Sequence, residues 1–164
     1  MKLLRPPQAL RLNGKPGVFL AGSIDQGEAE DWQHDILMCA APMTTMDIVF
    51  LNPRRDDWDA TWDQDDSHPE FVRQVNWELN AMDKAEMVVM YFAPGTKSPI
   101  TLLELGLYAT SGKLIVCCPN GFWRKGNVDI VCKRNKITQV KTLDELRWSI
   151  FNRYWHGENE NRGE

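Results

Sequence analysis

Apolar residues gather in short, dense runs. Val18-Phe19-Leu20-Ala21, Ile48-Val49-Phe50-Leu51, Met87 to Phe92 and Leu114 to Cys118 each lack the polar alternation of a half-exposed strand, and Ile137 to Val140 adds a mixed fifth run. Solid runs of this length, bounded by turn residues, predict strands buried on both faces. Helical periods separate them. Glu28 to Ala41 places Trp32, Ile36 and Leu37 at core spacing, and Pro69 to Ala85 aligns Val72, Val75, Leu79 and Met82. A helix beginning near Pro99 follows the third run, and Thr142 to Trp155 forms a last helix with Thr142 and Glu145 in capping-box relation. Val128 to Cys132 fits neither period well. Residues 1–16 read as an irregular arm, 17–155 as one domain and 156–164 as a flexible polar tail. The alternation predicts an α/β domain with a central parallel sheet of about five strands, covered on both faces.

Such sheets bind ligands beyond the carboxyl ends of their strands. Each unusual loop here follows a strand: Gly22-Ser23, Asn52 to Asp59, Ala93 to Ser98, and Pro119 to Trp123. Gly22 and Ser23 suit a phosphate or sugar hydroxyl, or simply a tight turn. Arg54 and Arg55 beside Asp56 and Asp57 are either solvated charge or ligand-facing, and their place directly after a buried strand favours the second. Trp58 and Trp62 either stack on a flat ligand or close their own loop. His68 reads as a residue of the loop before Pro69. Ser98 or Thr101 is expected to cap the next helix, with Pro99 in its first position.

Composition narrows the chemistry. The 164 residues suffice for one domain with a sizeable core, and a formal charge of −4 offers no case for polymeric nucleic acid. Cys39, Cys117, Cys118 and Cys132 show no metal-ligand spacing with His34, His68 or His156, so they read as thiols of a reducing cytoplasm. The aspartates at 56, 57, 59, 63, 65 and 66 lack the glycine and closing glutamate of a calcium loop. No metal and no cofactor is expected. Pro6-Pro7 and Arg11 interrupt the basic start, which excludes a signal-peptide pattern, and no apolar run spans a bilayer. No Ser–His or Cys–His pattern points to a triad.

Two carboxylates remain, Glu78 and Glu104, each on a mostly apolar helix near the same sheet edge. Glu104 lies among Leu102, Leu103, Leu105 and Leu107. One such group can attack or stabilise an anomeric carbon, and a second can manage the proton of the leaving group or of water. A helix-terminus carboxylate with a partly buried stem is the plainer alternative.

The ordered set Phe19 to Ile24, Asn52-Pro53-Arg54-Arg55, Ala85 to Val89, Glu104-Leu105-Gly106 and Gly112-Lys113 resembles the nucleoside 2-deoxyribosyltransferase-like family over Val18 to Cys118. The resemblance implies a flavodoxin-like three-layer sandwich and attack by Glu104 on C1′ of a 2-deoxynucleoside. Glu78 stands where members carry an aspartate near base and sugar. Ser98 stands where the transferases carry a sugar-holding aspartate and the related deoxynucleotide N-hydrolases a serine by the 5′-phosphate. The reading that follows is cleavage or transfer at an N-glycosidic bond of a small nucleoside or nucleotide. Glu104 and Glu78 are the catalytic candidates, and Gly22, Ser23, Asn52, Arg54, Asp57, Trp58 and Ser98 the substrate-binding ones. Hydrolysis of NAD or another ribosyl nucleotide, and nucleotide sensing without turnover, are the alternatives. The resemblance, with the surplus of tryptophan and methionine, also implies a homo-oligomer of two or more chains.

Overall fold

The computed structural model describes residues 1–24, 30–43, 45–55, 57–59 and 61–155. Its strands are β1 (Lys2–Leu4), β2 (Gly17–Gly22), β3 (Val49–Leu51), β4 (Met87–Tyr91), β5 (Leu114–Cys117) and β6 (Thr138–Val140). Its helices are α1 (Trp32–Ala40), α2 (Pro69–Lys84), α3 (Pro99–Tyr108), α4 (Lys125–Asn135) and α5 (Leu143–Tyr154). The strands make one sheet in the order β1-β3-β2-β4-β5-β6, and every pairing is parallel.

The fold is flavodoxin-like because successive strand residues face opposite layers. Phe19, Ala21, Val88 and Met90 pack with Trp77, Ala81 and Met82 of α2, Leu105 of α3, and Val128 and Cys132 of α4. Val18, Leu20, Val89 and Tyr91 pack with Trp32 and Ile36 of α1 and Leu146, Ile150 and Phe151 of α5. Phe19 is completely buried, and truncating it to alanine should cost about 3–5 kcal/mol.

Several elements differ from the sequence expectations. Residues 2–4 are not irregular: they add a sixth strand, with Lys2, Leu3 and Leu4 opposite Val49, Phe50 and Leu51. The rest of the arm lies along α2, where Trp77 Nε1 donates to the Gln8 carbonyl at 2.7 Å. Val128 to Cys132 is helical, with Val128 and Cys132 buried one turn apart. On α2 the most buried positions are Gln74, Trp77, Ala81 and Met82, whereas Val72, Val75 and Leu79 are only partly covered. That rotation brings a glutamine into the interior. Helix α1 begins at Trp32 behind an Asp31 cap, whose side chain accepts from the His34 amide at 3.1 Å. The expected start at Glu28, as well as Asp56 and the 156–164 tail, lies outside the described residues.

Chain direction across the sheet fixes the place of a site. From β2 the chain moves outward to β3, then returns past β2 to β4. The reversal leaves a crevice at the carboxyl ends of β2 and β4. Among the described residues no helix is long and apolar enough to cross a membrane.

Candidate active site

Gly22 ends β2 at this crevice. A Cβ there would lie 2.5 Å from the Tyr91 carbonyl oxygen and 2.7 Å from the Trp32 ring, so only glycine lets the two strands and the indole close up. Trp32 Nε1 then donates to the Ser23 carbonyl at 3.2 Å. Ser23 is fully buried, and its hydroxyl accepts from the Ala93 amide at 3.0 Å. It also lies 2.5 Å from Ser98 Oγ and 2.8 Å from Thr96 Oγ1. Thr96 and Ser98 are 3.0 Å apart, and Thr96 donates to the Ala93 carbonyl at 2.9 Å. Three hydroxyls thus join the end of β2 to the loop after β4. Thr96 was not among the sequence candidates. A hydroxyl two residues before Ser98 was the available signal.

Ser98 occupies the cap position of α3, and Pro99 is the first helical residue, but the Ser98 side chain makes no cap bond. Its backbone is left-handed, with φ 44° and ψ 53°. A non-glycine residue held there costs about 1–3 kcal/mol, which the surrounding contacts must outweigh. The hydroxyl is aimed at Ser23 instead of the helix amides.

The two carboxyl groups come from adjacent helices on one face of the sheet. Glu104, two turns into α3, is 9% exposed, and no described residue hydrogen-bonds it. Burial, together with the negative charge of Glu78, pushes its carboxyl up to about 8. The helix dipole acts mainly within the first turn and does not offset this. Glu78 on α2 is pushed up to about 7, again by burial, and the amide of Gln74 opposes the rise. Gln74 Nε2 donates to Glu78 Oε1 at 2.7 Å and to the Pro53 carbonyl at 3.0 Å. Burial thus favours the protonated form of both groups, and the charge of Glu78 favours it further at Glu104.

The loop after β3 supplies the surroundings. Asn52 is buried, its Oδ1 accepts from the Arg54 amide at 3.0 Å, and its Nδ2 has no partner among the described residues. Arg54 Nε lies 3.5 Å from the Asp31 carboxylate, tying this loop to the start of α1. Arg55 grips Asp57 with two bonds of 2.8 Å, lies 3.7 Å from Glu70 and sits 5.0 Å over the Trp62 ring. That guanidinium holds Asp57 below the usual carboxylate range. Trp58 packs edge-on against Trp62 at 5.2 Å, and Trp62 against His68 at 5.7 Å. Of the alternatives weighed for these tryptophans, closure of their own loop is what the contacts describe. Arg55, around which this cluster is built, was singled out only as part of a charge run.

A separate cleft of about 270 Å³ lies between α1 and α5, on the face opposite the glutamates. It is lined by Cys39, Met43 and Trp148, and its cation, Arg147, is engaged by Asp144 and by Cys39 Sγ. All four cysteines are free, and only Cys39 is exposed. Among the described residues no group of three His, Cys, Asp or Glu side chains is placed to hold a metal.

No curated protein sequence matches the chain. Among solved structures, a conserved protein from Enterococcus faecalis V583 superposes with a TM-score of 0.61 at 10% identity, covering 85% of this chain and 99% of its own. That likeness concerns the fold. The sequence model described as "Nucleoside 2-deoxyribosyltransferase like" matches residues 15–122, which include β2 to β5, the hydroxyl cluster, the buried Glu104 and the partly buried Glu78. With about two thirds of its length matched, this chain belongs to the nucleoside 2-deoxyribosyltransferase-like family.

Proposed function

We propose that the protein cleaves, or transfers across, the N-glycosidic bond of a 2′-deoxynucleoside or deoxynucleotide, with Glu104 as nucleophile. The observation that supports this most is the placing of Glu104 and Glu78 on adjacent helices on one face of the sheet, each poorly solvated and each with its carboxyl raised by burial. Displacement at C1′ needs one carboxylate and one acid at the same moment. The free protein favours the proton on Glu104, at about 8 against about 7 for Glu78, so the reactive form is the minor one, with Glu104 ionised and Glu78 protonated. In the first step of this form Glu104 attacks C1′ and the C–N bond breaks. Its electron pair leaves on the base nitrogen, which takes the proton from Glu78. In the second step water loses a proton to Glu78 and attacks C1′, and the Glu104 carboxylate is released. An acceptor base in place of water gives transfer.

Gly22, Ser23 and Ser98 border the crevice where the sugar or its 5′ group would lie. Asn52 and Arg54 form the neighbouring shell, and Asp57 and Trp58 belong to the packed loop beside it. The α3 side chains Ile100, Leu103 and Leu107 recur on one exposed stripe, at 59%, 68% and 61%. This supports the expectation of a homo-oligomer, which light scattering at micromolar concentration tests.

The function is tested with deoxynucleosides, their 5′-monophosphates and NAD, with and without an acceptor base, read by chromatography. Free base released from a deoxy substrate is the expected result. Nicotinamide released from NAD alone would replace the reading with a ribosyl-nucleotide hydrolase. Binding without turnover would replace it with a sensor.

A further inference from the structure

Gln74 is 5% exposed and lies one helical turn before Glu78 on α2. Its side-chain nitrogen meets two oxygens, the Pro53 carbonyl and Glu78 Oε1. Both are acceptors, so the amide cannot be turned round without losing both bonds. Its own oxygen is buried and has no donor among the described residues. An apolar residue would avoid that cost, and the other buried α2 positions hold Trp77, Ala81 and Met82. What a glutamine provides here is the pair of donated bonds.

We propose that Gln74 is a positioning residue that confines the transferable proton of Glu78 to Oε2 and fixes this carboxyl group to the loop after β3. The proposal rests on the reading of Glu78 as the proton-handling group. An N–H can only donate, so Oε1 remains the acceptor in both ionisation states. When Glu78 is protonated, the hydrogen therefore sits on Oε2, the oxygen left to meet a ligand. When Glu78 is ionised, the same bond favours the charge. The bond to Pro53 holds the amide in place, so Glu78 is not free to sample its rotamers.

The charged and titratable groups on the surrounding elements are few. Glu104 acts from α3. Tyr108, also on α3, donates to Asp83 of α2 at 2.7 Å. Arg54 and Arg55 of the β3–α2 loop are engaged by Asp31 and by Asp57 with Glu70, and Arg5 lies in the arm that packs on α2. Among the described residues only the Gln74 amide donates a hydrogen bond to the Glu78 carboxyl group.

The test uses Gln74→Met and Gln74→Glu in the full chain. Carbon-13 NMR follows the Glu78 carboxyl in the free protein, assigned by its loss in Glu78→Gln, and pH profiles of kcat and kcat/KM follow turnover. In Gln74→Met the Glu78 midpoint should rise by roughly half a unit or more, and the alkaline limb of kcat/KM, where the proton of Glu78 is lost, should move the same way. At the optimum kcat should fall roughly tenfold or more, with KM little changed. Gln74→Glu should regain part of this activity as the pH falls, because only its protonated acid can donate. Circular dichroism checks folding, and if the methionine variant fails to fold the glutamate variant decides. An unmoved Glu78 midpoint with an unmoved alkaline limb would overturn the proposal. Should no substrate be turned over, the proposed reaction fails, while the free-protein titration still decides whether Gln74 governs Glu78.

Discussion

The two ends of the α2–α3 layer are built on opposite terms. At the amino edge of the sheet, every polar group named is matched. Lys113 Nζ donates to the carbonyls of Met82 at 2.5 Å, Asp83 at 3.2 Å and Ala85 at 3.3 Å, closing the last turn of α2. The ammonium also sits 5.3 Å over the Tyr108 ring, and Tyr108 donates to Asp83 and to the Leu79 carbonyl. At the carboxyl edge the polar groups are under-satisfied. Among the described residues Glu104 has no hydrogen-bond partner and neither do the buried Gln74 Oε1 and Asn52 Nδ2, and Ser98 is left-handed. The first edge fixes the two helices relative to each other, and the second uses that rigidity to hold groups in states they would not adopt alone. Gly112-Lys113, part of the motif set behind the family resemblance, thus has a structural role here: Gly112 turns at φ 73° and delivers the lysine to α2.

The sharpest way to break this comparison is to replace Glu104. In Glu104→Gln, turnover should fall by about three orders of magnitude or more, since the covalent route is lost. The fold should not suffer, because the buried group removed is one that resists ionisation. Chromatographic rates and a urea titration read the two effects. A folded Glu104→Gln variant with near-normal turnover would remove Glu104 from the chemistry.

A second expectation is pH-dependent stability. Both glutamates titrate higher in the folded chain than in the unfolded one, at about 7 and about 8. The folded state therefore holds more protons than the unfolded state between roughly pH 4.5 and 8. The stability these groups contribute is complete below the unfolded value and is lost as the pH rises through 7 and 8. Urea midpoints should fall across that window, and Glu104→Gln should flatten the slope. A midpoint that climbs with pH there would show the carboxylates to be well solvated.

The amino edge makes the converse prediction. Lys113→Met removes a charged donor from three helix-terminal carbonyls and should cost about 1–2 kcal/mol, the partial exposure of the lysine limiting the loss. Substrate affinity and kcat should change far less than in Glu104→Gln. A larger catalytic than thermodynamic loss would mean that the two edges are not separable.

How far these edges could be read from the sequence follows from how local each signal is. The central strands were legible because parallel strands buried on both sides need unbroken apolar runs. Three residues at the chain start, Lys2 to Leu4, carry no period, and their strand exists only because β3 offers an edge. Helix α4 was obscured because Ile130 is 69% exposed while Val128 and Cys132 are buried and Val131 is only partly covered. Glu104 stood out among its leucines, and it is buried, yet Leu103 and Leu107 are the side chains that face outward. Gln74 owes its significance partly to Pro53, 21 residues away, and Thr96 to Ser23, 73 residues away, so the only local signal was the closeness of Thr96 to Ser98. Ser98 was placed correctly at the start of α3, while the target of its hydroxyl depends on Ser23, 75 residues away.

The smallest effect tests whether strain is really held at the carboxyl edge. Ser98→Ala and Ser98→Gly both delete the hydroxyl that contacts Ser23 and Thr96, so both lose the same hydrogen bonds. They differ in the backbone: alanine keeps the left-handed penalty at φ 44°, and glycine relieves it. Glycine also adds conformational freedom to the unfolded chain, which works against the relief. The balance should leave Ser98→Gly more stable than Ser98→Ala by about 0.5–1 kcal/mol, a difference that paired urea titrations resolve. Because the hydroxyl cancels in the comparison, the sign reports on the backbone alone. If alanine proves equal to or better than glycine, position 98 carries no net strain, and the contrast between the edges reduces to unpaired polar groups and desolvated carboxyls.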